Sequence, residues 1–118
     1  MAAKDDLGRR GENLAADHLL ATGYTIIERN WRCQQGEIDI VAFKNGEVVF
    51  VEVKTRSSLA YGHPLEAITV AKLARLRRLA GAWCQAHPDV RAEVRIDAIA
   101  ILAPTRGLIE IEHLERVF

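Results

Sequence analysis

The stretch that decides the fold covers residues 38–53 and reads IDIVAFKNGEVVFVEV. Its two halves, residues 38–43 and 48–53, are rich in β-branched and aromatic side chains, which are typical of strands. Between the halves lies Asn45-Gly46, and this dipeptide is the strongest short-range signal for a two-residue hairpin turn. The stretch therefore predicts an antiparallel β-hairpin.

The two-residue loop also predicts which side chains of the hairpin face each other. Asp39 is expected opposite Glu52, and Glu37 opposite Lys54 shares the same face of the sheet. Directly opposed like charges destabilise a sheet, so the Asp39–Glu52 pair indicates a positive charge nearby. That charge is either Lys54 or a hard divalent cation such as Mg²⁺, which binds through one or two carboxylates. A solvated strand end with a Glu37–Lys54 ion pair is the alternative.

Apart from these charges, both faces of the hairpin are apolar. One face is predicted to carry Ile38, Ile40, Val49, Val51 and Val53, and the other Val41, Phe43, Val48 and Phe50. Both faces therefore belong to the core, as is usual for a central strand pair.

A helix and a strand are predicted before the hairpin. Asp5 or Asp6 can cap the helix, and Gly23 follows its end at the position that favours glycine. Apolar residues recur at helical spacing within it, namely Leu7, Leu14, Ala15, Leu19 and Leu20. The aromatic and β-branched segment 24–31 then predicts a strand.

A second helix and two strands are predicted after the hairpin. The helix begins after a cap at Thr69 and ends before Pro88, and the strands cover residues 93–102 and 108–113. A helical crossover joins parallel strands, whereas a tight hairpin joins antiparallel ones. We therefore expect an α/β fold with a mixed β-sheet flanked by helices.

The composition indicates one globular domain over residues 1–118. The chain has 118 residues, with 16 Lys and Arg against 16 Asp and Glu, which is the size of a typical single domain. No apolar stretch approaches the ~18–20 residues of a membrane span, and the first residues lack the apolar core of a signal peptide. Cys33 and Cys84 lack metal-binding spacing and are expected to be reduced thiols. These features predict a cytoplasmic protein without a membrane partner.

The positions of Asp39, Glu52 and Lys54 form the pattern D-(x)n-E-x-K, which resembles the PD-(D/E)XK nuclease superfamily. A wider set of residues resembles the YraN family, which consists of small bacterial proteins often described as predicted endonucleases similar to Holliday junction resolvases. The matching segments are residues 7–12 (LGRRGE), Ala15-Ala16, Tyr24, residues 28–32 (ERNWR), 36–39 (GEID) and 51–56 (VEVKTR), Pro64, Ala67, Lys72, Arg95 and Asp97. The resemblance implies a restriction-endonuclease-like αβββαβ core.

The same resemblance implies a role for each matching residue. Asp39 and Glu52 would ligate Mg²⁺ or Mn²⁺, with the carbonyl of Val53 as a further ligand. Lys54 would orient the attacking water and offset charge on the phosphate. Glu12, on the first helix, would support the same metal or a second one. This chemistry is reasonable, because phosphodiester hydrolysis needs an activated water and neutralisation of the developing negative charge.

Basic residues concentrate around the second helix. Residues 54–91 carry 7 basic and 2 acidic residues, whereas the rest of the chain is acidic. Lys72, Arg75 and Arg78 recur every three residues, and Arg56 follows the E-x-K pattern. Each of these four residues either contacts nucleic-acid phosphates or belongs to a solvated face.

Two functions therefore remain open from the sequence. The first is a metal-dependent endonuclease that acts on structured or branched DNA. The second is a catalytically silent module that keeps the nuclease fold and binds nucleic acid or a protein. The expected partner of the first is DNA, and whether two copies form a homodimer is left open.

Overall fold

The computed structural model describes residues 3–60 and 62–118, with side chains described from residue 6 onward. Its elements are the helices α1 (Ala3–Ala21) and α2 (Val70–Ala86), the strands β1 (Thr25–Cys33), β2 (Gly36–Lys44), β3 (Glu47–Arg56), β4 (Glu93–Leu102) and β5 (Glu110–Leu114), and a short 3-10 helix at Pro64–Ala67. Neither of the two α-helices is long and apolar enough to cross a membrane. The predicted order of helices and strands is confirmed.

The five strands form one mixed sheet in the order β1-β2-β3-β4-β5. β3 and β4 are parallel, because α2 carries the chain from the end of one strand to the start of the other. The other neighbouring pairs are antiparallel. The predicted α/β fold, a mixed sheet with helices packed on it, is confirmed.

The central hairpin turns at the predicted dipeptide. Asn45 and Gly46 both have positive φ, 51° and 79°, as the tight two-residue hairpin turn requires. The predicted register holds from the turn to the pair Ile40 and Val51, where the ladder between β2 and β3 ends. Asp39 is therefore not paired with Glu52 in the ladder, and the carboxylate of Asp39 instead accepts a hydrogen bond from the main chain of β3.

Each face of the sheet packs against one helix. The cluster beneath α1 includes Ala15, Leu19, Ile40, Val49, Val51, Val53, Ile99 and Ile101. The cluster beneath α2 includes Ile38, Val41, Val48, Phe50, Leu76, Leu79, Trp83 and Ile96. Ile38 and Ile40 thus lie on opposite sides, and the prediction that they share a face is wrong. The alternation of a regular strand is broken between them, at Asp39.

The first helix differs from its prediction at its start and on its surface. It already includes Ala3, so Asp6 lies inside the helix and the predicted cap at Asp5 or Asp6 is wrong. Alanine is the best helix former, and it allows the helix to begin earlier. Leu20, predicted on the apolar face, is 56% exposed. The predicted end is confirmed, because Gly23 follows the helix with φ of 94°.

Local sequence patterns predicted the start of α2 correctly and the start of β5 incorrectly. Helix α2 begins after Thr69, whose side chain accepts a hydrogen bond from the Lys72 N–H as a cap should. β5 begins at Glu110 rather than at Leu108, which is 88% exposed. An apolar residue beside a Pro- and Gly-containing turn was sufficient to suggest a strand, but Leu108 has no place in the ladder.

Candidate functional site

A close approach between α1 and β3 sets the position of Glu12. Gly11 is buried, and a Cβ atom built on it would lie 1.7 Å from Oγ1 of Thr55. Only glycine allows the helix backbone to contact β3 at this point. The next residue, Glu12, is half-buried, and its Oε1 accepts a hydrogen bond of 3.1 Å from Nδ2 of Asn30.

Three carboxylates converge where α1 crosses the irregular end of β2. Glu12, Glu37 and Asp39 each offer one oxygen, and these oxygens all lie within 4.8 Å of one another. All three residues are half-buried. Oxygen donors in this number suit a hard cation such as Mg²⁺ or Mn²⁺. We call Glu12, Glu37 and Asp39 the acidic trio.

Glu37, one member of the acidic trio, also contacts a residue of the neighbouring strand. Glu37 forms an ion pair with Arg32, with 2.5 Å between Oε2 and Nε. This partner lies on β1 and was not predicted from the sequence, which offered Lys54 as the alternative partner of Glu37. The Arg32 side chain is 81% exposed, so this ion pair adds little stability.

The position of Asp39 depends on the main chain of β3. Its Oδ2 accepts a hydrogen bond of 2.8 Å from the Val53 N–H. Burial raises the pKa of Asp39 to about 6, and Glu37 adds to this rise. The Val53 N–H, Lys54 and Arg75 act in the opposite direction. Asp39 is thus held in place by β3 and carries a charge that the surroundings only partly stabilise.

The pKa values of Glu12 and Glu52 are raised in the same way as that of Asp39. Burial first, then Asp39 and Glu37, raise the pKa of Glu12 to about 7. Burial and Asp39 also raise the pKa of Glu52 to about 7. Glu52 is not part of the trio, but the negative charge of Asp39 acts on it. A bound cation would relieve the repulsion among these acids.

Three basic residues surround the acids. Arg75, Lys72 and Lys54, in this order, oppose the rise of the Glu52 pKa, which places their charges near that carboxylate. Arg75 and Lys72 come from the first turns of α2, and Lys54 follows the acids on β3. The site thus combines a compact negative centre with a positive surround.

A cleft of about 450 Å³ opens beside the trio. It is lined by Leu7, Gly8 and Glu12 from α1 and by residues 53–58 from the end of β3 and the following loop. Two residues join the acidic site to the cleft. Glu12 is a member of the acidic trio, Lys54 acts on the pKa of Asp39, and both line the cleft. Arg56, predicted as a phosphate contact, is in the same lining.

Comparison with known proteins identifies the family. The family model described as "Uncharacterised protein family UPF0102" matches residues 11–101. The chain belongs to this family. The predicted YraN-family membership is thereby confirmed.

Relatives of this UPF0102 member match it over nearly its whole length. A "UPF0102 protein" from Clavibacter michiganensis subsp. michiganensis is 60% identical, over 95% of each chain. Another from Arthrobacter sp. (strain FB24) is 56% identical over 99% of each chain. A "UPF0102 protein" from Frankia casuarinae is 47% identical over 100% of each. These names state no activity.

The structure of this family member unites most of the residues predicted for its site. Glu12 and Asp39 meet in the trio, Asp39 raises the pKa of Glu52, and Lys54 lowers the pKa of both Asp39 and Glu52. Arg78 is exposed on α2. Glu37 was predicted as an acid of the same sheet face and as an alternative ion-pair partner of Lys54, and it is a full member of the trio. The G-E-I-D spacing on one strand was the available signal for it.

Proposed function

We propose that this UPF0102 member is an endonuclease that depends on Mg²⁺ or Mn²⁺ and hydrolyses phosphodiester bonds in structured or branched DNA. The observation that carries the proposal is the acidic trio beside Lys54. Three half-buried carboxylates lie within 4.8 Å of one another and form a set of oxygen donors. The nearby basic groups neutralise the negative charge of this set only in part. Such a set beside a lysine and a cleft fits hydrolysis of an anionic ester.

The residues present fit a divalent cation. Asp39 and Glu12 would hold the metal, Glu37 completes the donor set, and Glu52 adds negative charge next to it. The carbonyl of Val53 is a further proposed ligand, because its own N–H already fixes the Asp39 carboxylate. The bound metal would supply Lewis-acid stabilisation of the phosphate and a more acidic water.

The residues around the acids would handle the substrate. Lys54 would orient the attacking water and offset charge that develops on the phosphate. Lys72 and Arg75 would attract the phosphate backbone, and the exposed Arg78 would extend that contact along α2. Strands β2 and β3 hold the acids and Lys54 more rigidly than a loop would.

A cleavage assay tests the proposal. The purified protein should nick a branched DNA in the presence of Mg²⁺ or Mn²⁺, and EDTA should stop the reaction. Glu52→Ala and Lys54→Ala should each lower the rate by about a hundredfold or more. Glu52→Ala removes negative charge next to the proposed cation, and Lys54→Ala removes the positive charge that would offset charge on the phosphate. Arg106→Ala is the matched control, since Arg106 is exposed and lies outside the cleft and the acids.

The same assay distinguishes the nuclease from a binding module. Equal trace activity in the wild type and in both site variants would mean contamination. DNA binding without cleavage would then favour the catalytically silent module. A panel of linear, single-stranded, flapped and four-way DNA, run with the same proteins, would identify the preferred substrate.

A further inference from the structure

The cleft beside the acidic trio has a lining suited to an anion. Five consecutive residues, 54–58, read KTRSS and contribute two cationic and three hydroxyl side chains. Among the residues that the structure describes, Glu12 is the one acid in this lining. Hydroxyl, ammonium and guanidinium groups are all hydrogen-bond donors to phosphate oxygens.

Arg56 adds an observation that points to a ligand. Its Nε is buried, yet it has no hydrogen-bond partner among the residues that the structure describes. A buried donor without an acceptor is costly, and an N–H of a charged guanidinium makes its strongest hydrogen bonds to charged oxygens. The planar guanidinium also matches the geometry of a phosphate. A phosphate group bound against the Arg56 side chain would supply the acceptor that the described residues do not provide.

The size of the cleft limits what it can hold. A volume of about 450 Å³ lies within the range of small-ligand pockets, about 300–1,000 Å³. This space accommodates one nucleotide, but it cannot admit a double helix. Leu7 and Gly8 form the wall contributed by α1, and the Leu7 side chain offers apolar surface to a sugar or a base.

We infer that the cleft binds one unpaired nucleotide of the substrate next to the bond that is cut, with Arg56 contacting its phosphate. This inference rests on the proposed nuclease function, because Glu12 and Lys54 join the cleft to the acids. It identifies the substrate as DNA with a single-stranded segment at the cleavage point, such as a flap, a gap or a frayed branch.

Binding without cleavage tests the inference. In EDTA, fluorescence anisotropy would compare a short oligothymidylate with a fully paired hairpin of the same length. Arg56→Gln should weaken binding of the oligothymidylate by about tenfold or more, the loss expected for one charge-assisted hydrogen bond. Its affinity for the paired hairpin should change by less than about twofold. Arg106→Gln, which removes an exposed arginine outside the cleft, should leave both affinities unchanged.

Two further measurements keep the inference testable if Arg56→Gln does not fold. Arg56→Lys retains the charge but loses the Nε donor, and it should also weaken binding of the oligothymidylate. In the wild type, thymidine 5′-monophosphate should shift the backbone amide resonances of residues 54–58 and leave those of residues 105–107 in place. The inference would be overturned if the Arg56 variants lost affinity equally for the oligothymidylate and the paired hairpin. Resonance shifts that occur only outside the cleft would also overturn it.

The outcomes separate this inference from the nuclease proposal. Arg56-dependent binding of the unpaired strand, with no metal-dependent cleavage of any DNA, would uphold the nucleotide cleft and refute the nuclease. Cleavage of blunt duplex and single strand at equal rates, unaffected by Arg56→Gln, would uphold the nuclease and refute the cleft.

Discussion

At the scale of single residues, Gly11 decides how closely helix α1 approaches strand β3. Gly11→Ala should place a methyl group against Thr55 and force the helix away from the sheet. We expect a loss of about 1–3 kcal/mol in the free energy of unfolding, as for other overpacked sites. Gly8→Ala, where nothing lies within 4 Å of the added carbon, should instead stabilise the helix by about 0.5–1 kcal/mol. Urea titration of both variants checks this, and equal effects would contradict it.

Asp39 offers a second test at this scale. A cation that binds the native protein and not the unfolded chain raises the melting temperature. Millimolar Mg²⁺ or Mn²⁺ should therefore stabilise the wild type, because the cation offsets the burial and the repulsion that raise the pKa values of Glu12 and Asp39. Asp39→Asn should remove the response. Asp17→Asn changes an exposed acid on the same helix as Glu12 and should keep it. A metal response that persists in Asp39→Asn would rule out the proposed site.

At the scale of whole elements, a buried polar network ties β4 to α1 and β5. Asp97, which is 0% exposed, contacts Nε and Nη2 of Arg95 at 2.9 and 2.8 Å. His113 Nε2 lies 2.7 Å from Asp97, and its Nδ1 lies 3.3 Å from His18 Nε2. Since a carboxylate only accepts, the Nε2–H of His113 donates to Asp97. The network therefore links three elements through one chain of hydrogen bonds.

This network makes the attachment of α1 to β5 sensitive to acid. Burial, then His113, lower the pKa of His18 below 6.5 in the native state. The unfolded chain then binds more protons, so the contribution of His18 to stability is complete above pH 6.5 and is lost as the pH falls through its native pKa. His18→Gln should therefore gain stability relative to the wild type as the pH falls below 6.5. Urea titrations at several pH values measure the difference, and a constant difference would contradict it.

We expect a second loss of stability at lower pH, when Asp97 becomes protonated. Burial alone would raise its pKa, but hydrogen bonds from His113, Arg95 and the Arg116 N–H outweigh burial and hold the pKa of Asp97 below 3.8. Its contribution is thus present above pH 3.8 and is lost only in stronger acid. This loss should appear in both the wild type and His18→Gln.

The elements also show what the sequence could predict. The hairpin and the α2 cap were predictable, because Asn45-Gly46 and Thr69 act on their immediate neighbours. The network of Asp97 with His113 was not, because residues distant in the chain meet only after the sheet has formed. The break in alternation at Asp39 was missed for a related reason. A hydrogen bond from Val53 replaces the ladder there, and a strict two-residue period does not reveal it.

At the scale of the whole molecule, zero net charge hides an uneven distribution. The basic segment 54–91 contains the start of α2, and the charges of Arg75 and Lys72 from it lower the pKa of Glu52. Negative charge at the acids offsets the attraction of these basic groups for phosphate. If the protein acts on DNA as proposed, the balance between the two charges should decide how strongly it binds.

This balance leads to a prediction about DNA affinity. At constant ionic strength, Mg²⁺ should strengthen binding of branched DNA relative to EDTA, because a cation at the trio removes repulsion between the acids and the phosphates. Lys54→Ala, which is expected to stop cleavage, is the protein for this anisotropy measurement. Adding Asp39→Asn to it should raise the affinity in EDTA, since one repelling charge is lost, and should abolish the effect of Mg²⁺. Ordinary screening by Mg²⁺ weakens DNA binding, so an affinity that is lower in Mg²⁺ than in EDTA would contradict a metal-filled site.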